Sequence, residues 1–79
     1  MTKEEFVKWA KGRGWSEDKW GHLQKTVDNK RYRFKVSSTA VRYETWLEAN
    51  KEWIRLASNY FKYLSVGEDN KLKGLTRKI

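Results

Sequence analysis

The run Arg31-Tyr32-Arg33-Phe34-Lys35-Val36 alternates charged and apolar side chains without a break. Successive side chains of an extended strand point to opposite faces, so a period of two marks a strand with one wet and one dry side. A helix would scatter the same residues around its circumference. Working outward, Val41-Arg42-Tyr43-Glu44-Thr45 alternates in the same way, and Trp20 to Thr26 does so more weakly. Asp28-Asn29 suits a two-residue hairpin turn, because both side chains tolerate the positive φ that such turns need. Ser37-Ser38-Thr39-Ala40 fits a short loop leading into the third strand.

These turns set a register. Val36 is expected opposite Val41, Phe34 opposite Tyr43 and Tyr32 opposite Thr45, since a one-residue slip would set Phe34 against Arg42. In the first hairpin Val27 faces Lys30, which brings Leu23 beside Phe34 and Gly21 beside Val36. One face then collects Leu23, Tyr32, Phe34, Val36, Val41, Tyr43 and Leu47 as the core side. The other collects Trp20, His22, Gln24 and Thr26, then Arg31, Arg33 and Lys35, then Arg42, Glu44 and Trp46. On that face Arg33 is expected opposite Glu44, and Arg31 opposite Trp46 within cation–π reach. Lys35 falls opposite Arg42, with His22 on its other side, and like charges so placed repel. An anionic partner would relieve them.

The dry face needs a lid, and the first residues supply one. Thr2 followed three residues later by Glu5 is a capping-box pattern, and Phe6, Trp9 and Ala10 recur at helical spacing. Gly12 and Gly14 end the helix, since glycine takes left-handed φ cheaply at a C-terminus. The expected fold is α+β: an N-terminal helix packed on an antiparallel sheet of three or more strands. Residues 51–66 admit two readings. Trp53, Leu56, Ala57, Tyr60, Phe61 and Leu64 match an amphipathic helix, whereas the aromatic and β-branched content and a break at Ser58-Asn59 favour a further hairpin. Gly67-Glu68-Asp69-Asn70 reads as a turn, and Lys71 to Ile79 as a basic tail with apolar positions at Leu72 and Leu75.

Composition bounds the function. With 79 residues the chain is expected to form one domain. Leu, Ile, Val and Phe together number sixteen, close to the level of about 20% associated with disorder. Five Trp and four Tyr supply the missing apolar area, at about 150–250 Å² for each large ring. Lys and Arg number 18 against 10 acidic residues, a net charge of +8. That excess is densest over residues 31–47, where Glu44 is the lone acid. The absence of Cys excludes disulfides, thiolate metal sites and cysteine nucleophiles. No run of hydrophobic residues exceeds two, so no segment reads as a membrane span or signal-peptide core. A cytoplasmic protein without membrane attachment is the simplest expectation.

Catalytic constellations are missing from the sequence. One histidine cannot build a zinc site unaided, and no nucleophile elbow or phosphate-binding glycine loop is present. Glu17-Asp18 and Glu68-Asp69 sit beside turns, where capping and solvation account for them. The expectation is a non-enzymatic module that needs no cofactor and no metal. The pattern with a direct chemical reading is the basic, aromatic sheet face. Arg31, Arg33, Lys35 and Arg42 would neutralise phosphates, and Trp20 and Trp46 would stack on unpaired bases, with His22 as an added hydrogen-bonding group. The partner so expected is nucleic acid, DNA or RNA. The alternative is an acidic protein, because Arg, Trp and Tyr also dominate protein-interface hot spots. A plain solvated sheet face is the bland account of the same charges.

Trp20-Gly21-His22-Leu23-Gln24-Lys25, with Tyr32-Arg33-Phe34-Lys35 and Leu72-Lys73-Gly74-Leu75, resembles short uncharacterised proteins encoded by bacteriophages and prophages. That resemblance implies a mobile-element setting, in which small basic proteins bind nucleic acid or a host protein. If residues 51–66 are helical, the α-β-β-β-α layout is similar to the double-stranded-RNA-binding domain. That family opens its last helix with a Lys-Lys-x-Ala-Lys motif. Here Glu48-Ala49-Asn50-Lys51-Glu52 stands in that place, with one lysine and two acids.

Overall fold

A computed structural model of the protein describes residues 1–75. Helix α1 spans Lys3–Gly12 and is followed by β1 (Ser16–Glu17), β2 (Leu23–Val27), β3 (Lys30–Val36), β4 (Ala40–Leu47) and β5 (Glu52–Tyr60). A 3-10 turn (Phe61–Tyr63) then leads to a small hairpin of β6 (Ser65–Val66) and β7 (Leu72–Lys73). The first five strands form one antiparallel sheet in chain order. The architecture is α+β, as the alternation around Phe34 predicts.

The helix begins at the expected capping box. The Glu5 N–H donates to Thr2 Oγ1 at 3.1 Å, and the Thr2 N–H donates to Glu5 Oε1 at 2.8 Å. Bonding to the Thr2 backbone N–H foremost, and to the Thr2 hydroxyl second, holds the Glu5 carboxyl below its ordinary value. Past the helix end Gly14 adopts φ +91°, which lets the Trp15 N–H reach back to Ala10 O. Phe6, Trp9 and Ala10 face the sheet. Phe34 is the hub beneath them: Phe6 meets it edge-on at 4.9 Å, and Trp15 lies 4.0 Å from it centroid to centroid. Leu23, Val36, Val41, Tyr43, Phe61, Leu64 and Leu72 complete the core. Each such side chain, taken from water, contributes about 1.5–3 kcal/mol.

From Leu23 through Thr45 the register agrees with the sequence reading. Val36 pairs with Val41, Phe34 with Tyr43, Tyr32 with Thr45, Leu23 with Phe34 and Val27 with Lys30. Asp28 and Asn29 both take positive φ, 51° and 66°, as a tight hairpin requires. Gly21 beside Val36 and His22 beside Lys35 do not form as strand pairs. Strand β2 starts at Leu23, and the Val36 N–H is taken instead by the His22 side chain at 3.0 Å. Leu47, expected in the core, is 41% exposed, because the strand has run past the helix that covers Phe34.

Residues 51–66 contain no α-helix. They form β5, the 3-10 turn and β6, so the layout similar to the double-stranded-RNA-binding domain does not occur. The expected break lies at Phe61 rather than at Ser58-Asn59. Tyr43 pairs with Ala57 while Glu44 pairs with Arg55, so Leu56 is the extra residue of a β-bulge. The turn at Gly67–Asn70 is present, closed by the Asn70 N–H on Gly67 O at 2.9 Å. Of the expected basic tail, Leu72 is buried and Leu75 packs at the core's edge, while residues 76–79 lie outside the described residues.

Candidate nucleic-acid interface

The outward sheet face is built in three rows that cross the strands. Neighbouring strands lie about 4.8 Å apart, and same-face residues along a strand about 6.8 Å apart. The first row is Arg31, Trp46 and Trp53. The Arg31 guanidinium lies 5.2 Å from the Trp46 ring and 5.3 Å from the Trp53 ring, which meet each other edge-on at 5.4 Å. The Trp46 indole N–H donates to Glu48 Oε2 at 2.7 Å, and the Lys51 ammonium holds the other carboxylate oxygen. The lysine bond first, then the indole bond, holds the Glu48 carboxyl below its ordinary value, and the indole bond orients Trp46.

The second row is Gln24, Arg33, Glu44 and Arg55. Glu44 is 5% exposed, and its Oε1 accepts from Arg33 Nε at 2.9 Å and from a terminal nitrogen at 2.6 Å. The Arg33 guanidinium also lies 4.4 Å from the Trp53 ring. Arg33 is therefore committed within the protein and presents little free charge. Arg55, on the far side of Glu44, is exposed.

The third row is Lys35, Arg42 and Ser58. Both cations are exposed, and neither has a carboxylate within ion-pair distance among the described residues; the same holds for Arg55. These three cations sit on adjacent strands. They line one groove of about 450 Å³, whose wall includes Ser58, Asn59 and Tyr60 and no acid.

The structure thus brings Arg31, Arg33, Lys35, Arg42 and Trp46 together on one face, and it leaves two expected members out. Trp20 belongs to a turn before β2, not to the sheet; it is 70% exposed with Lys19 Nζ 4.5 Å above its ring. Asp18 fixes that turn by accepting from the Trp20 and His22 N–H groups, each at 2.9 Å. Burial pulls the Asp18 carboxyl upward, but these bonds and a third from Gln24 outweigh it and hold it below its ordinary value. His22 spends Nδ1 on the Val36 N–H, in the plane of the sheet, where it acts as a strand partner in place of a backbone carbonyl.

Trp53, Arg55 and Tyr60 are members that the sequence reading did not assign to the face. The bulge at Leu56 explains why. Before it Trp53 and Arg55 point outward; after it Ser58 and Tyr60 do, so the parity changes inside one strand. On the helix side, Tyr32 and Tyr43 stack nearly parallel at 5.7 Å beside an open hollow. Burial foremost, and the Tyr32 neighbour second, raises the Tyr43 hydroxyl above its ordinary value. No helix among the described residues is long and apolar enough to cross a membrane.

Comparisons with known protein families, curated proteins and solved structures find no match. The chemistry of this face must therefore speak for itself.

Proposed function

We propose that the protein is a non-enzymatic nucleic-acid-binding module that docks polyanions on the outer face of β3, β4 and β5. The observation that carries this reading is the set Lys35, Arg42 and Arg55: three exposed cations on adjacent strands, unpaired among the described residues. A sheet gains nothing from cations placed side by side, and phosphates arriving there release counterions and remove the repulsion. Trp46 and Trp53 flank the cations and supply apolar surface for sugars and bases. The setting we propose, from the resemblance in the sequence, is a phage or other mobile element. An acidic host-protein surface offers similar charge complementarity, and the test separates the two.

Intrinsic tryptophan fluorescence titrated with single- and double-stranded oligonucleotides at two salt concentrations is the direct check. Binding is expected to weaken steeply as salt rises, because each phosphate contact contributes about 0.7–0.9 to the log–log slope. Lys35→Glu/Arg42→Glu should abolish it while leaving the circular dichroism spectrum unchanged, since both side chains are exposed. Absence of binding at low salt would discard the nucleic-acid reading and point to the acidic protein. Arg33 is a poor choice for charge reversal, because it would set two buried carboxylates against each other.

A further inference from the structure

We infer that the nucleic acid taken by this face is single-stranded, and that its path leaves the groove over a tyrosine corner made by Tyr60, Lys62 and Tyr63. The inference rests on the nucleic-acid reading above and specifies the occupant of the same site. The corner forms where β5 ends at Tyr60 and one 3-10 turn, Phe61–Tyr63, follows. Phe61 and Leu64 are buried in the core. Tyr60 and Tyr63 are left on the wet side, 54% and 62% exposed, with ring centroids 6.2 Å apart. Lys62 stands between them, its ammonium 5.8 Å from one ring and 5.1 Å from the other.

Exposed rings so close to a cation have no core to fill, yet the backbone that carries them is held in place. The Phe61 N–H donates to Thr39 O at 3.0 Å, pinning the turn to the start of β4. Asn59 accepts from the Tyr60 N–H at 2.8 Å and donates to Gly74 O at 2.9 Å, tying the same backbone to the terminal hairpin. A fixed backbone leaves less to be ordered on binding than a mobile one. Tyr60 also lines the groove that holds Lys35, Arg42 and Arg55, so cations and rings form one continuous track. On the other side of Tyr60 a second hollow carries Lys3 and Lys62, with Glu4 its one acid among the described residues.

The choice of single strand over duplex comes from what the face offers. Duplex reading needs a helix or a two-stranded ribbon that enters a groove. Here α1 buries its apolar side against Phe34, and the cations lie on the broad face of a five-stranded sheet. Rings at both ends of the track, Trp46 and Trp53 at one and Tyr60 and Tyr63 at the other, suit bases that are already unstacked.

Fluorescence anisotropy of a labelled twenty-nucleotide oligothymidylate, a duplex of equal length and a poly-glutamate peptide tests this. The wild-type protein should bind the oligothymidylate at least ~10-fold more tightly than either of the others, a preference that stacking of one or two bases suffices to give. Tyr60→Ala/Tyr63→Ala should cut oligothymidylate affinity ~10-fold or more, leave its salt slope unchanged and leave the circular dichroism spectrum unchanged. Tyr60→Phe/Tyr63→Phe, which keeps the rings, should bind as the wild type does. If the alanine pair binds oligothymidylate like the wild type while Lys35→Glu/Arg42→Glu does not, the tyrosine corner is wrong and the sheet-face reading stands. A duplex preference overturns the single-strand assignment alone. Poly-glutamate binding equal to that of both nucleic acids overturns both readings.

Discussion

Replacing Glu44 by Gln should weaken the fold and strengthen polyanion binding at once, and the two effects can be sized. Glu44 Oε1 accepts two charge-assisted bonds from Arg33, at 2.9 and 2.6 Å, in a site where Glu44 is 5% exposed. A hydrogen bond to a charged partner contributes about 1.5–3 kcal/mol, against about 0.5–1.5 for a neutral one. Glutamine keeps the shape and an acceptor oxygen, and Arg33 keeps its charge, so both bonds stay charge-assisted. What goes is the ion-pair attraction, part of the about 3–5 kcal/mol of a broken buried pair, or about 2 kcal/mol. For a domain of this size that corresponds to a fall in Tm of roughly 8–16 °C. Truncation to Ala, which strands the arginine, should cost more, about 3–5 kcal/mol. The same change adds a positive charge in the middle of the face, so oligonucleotide affinity should rise. Urea unfolding followed by tryptophan fluorescence measures the first effect, with the midpoint shifting at constant slope. Glu48→Gln is the control: its partner Lys51 is exposed, as it is itself, and that change should cost under about 0.5 kcal/mol. Equal, negligible effects from both variants would refute the account of a buried pair holding the sheet face in order.

His22→Ala leaves the buried Val36 N–H without its acceptor, and should cost about 1–3 kcal/mol and speed hydrogen exchange at the Val36 amide selectively. Because the Asp18 carboxyl is held below its ordinary value, its contribution is complete at neutral pH and disappears as pH falls through that lowered value. Urea midpoints taken from about pH 5 to about pH 2 should therefore drop less steeply in Asp18→Asn than in the wild type. Gly74 sits at φ +100° with Tyr63 O 2.6 Å from where a Cβ would stand, so Gly74→Ala should destabilise by roughly 2 kcal/mol or more. Gly12→Ala meets no neighbour within 4 Å and should be neutral or stabilising by about 0.5 kcal/mol in the same assay.

The strand core of the fold was legible because β2, β3 and β4 keep strict parity: each side chain faces the way its odd or even number says. Phe34, Val36, Val41 and Tyr43 had one register that kept charges out of the core, and the structure adopts it. The same parity put Arg33 opposite Glu44 and Arg31 beside Trp46, so half of the site could be drawn from the sequence. Strand β5 was opaque for a physical reason. The bulge at Leu56 inserts one residue, so outward positions run Trp53, Arg55, Ser58, Tyr60, with one gap of three. Together with the apolar residues between them, that spacing imitates a helical stripe. Trp20 and His22 failed differently. Gly21 takes φ +81°, and Asp18 closes a turn on the Trp20 and His22 amides, so the strand starts at Leu23, three residues later than the alternation suggests. Arg33, read both as the neighbour of Glu44 and as a phosphate contact, spends its guanidinium on that buried carboxylate.

Backbone amide chemical-shift mapping tests the central claim most directly. Isotope-labelled protein titrated with oligothymidylate at low salt should show its largest shifts at Lys35, Arg42, Arg55, Ser58 and Tyr60, with the indole N–H of Trp46 moving and residues 3–12 of the helix still. Shifts centred on the helix, or spread evenly over the molecule, would contradict the assignment of the sheet's outer face as the docking surface.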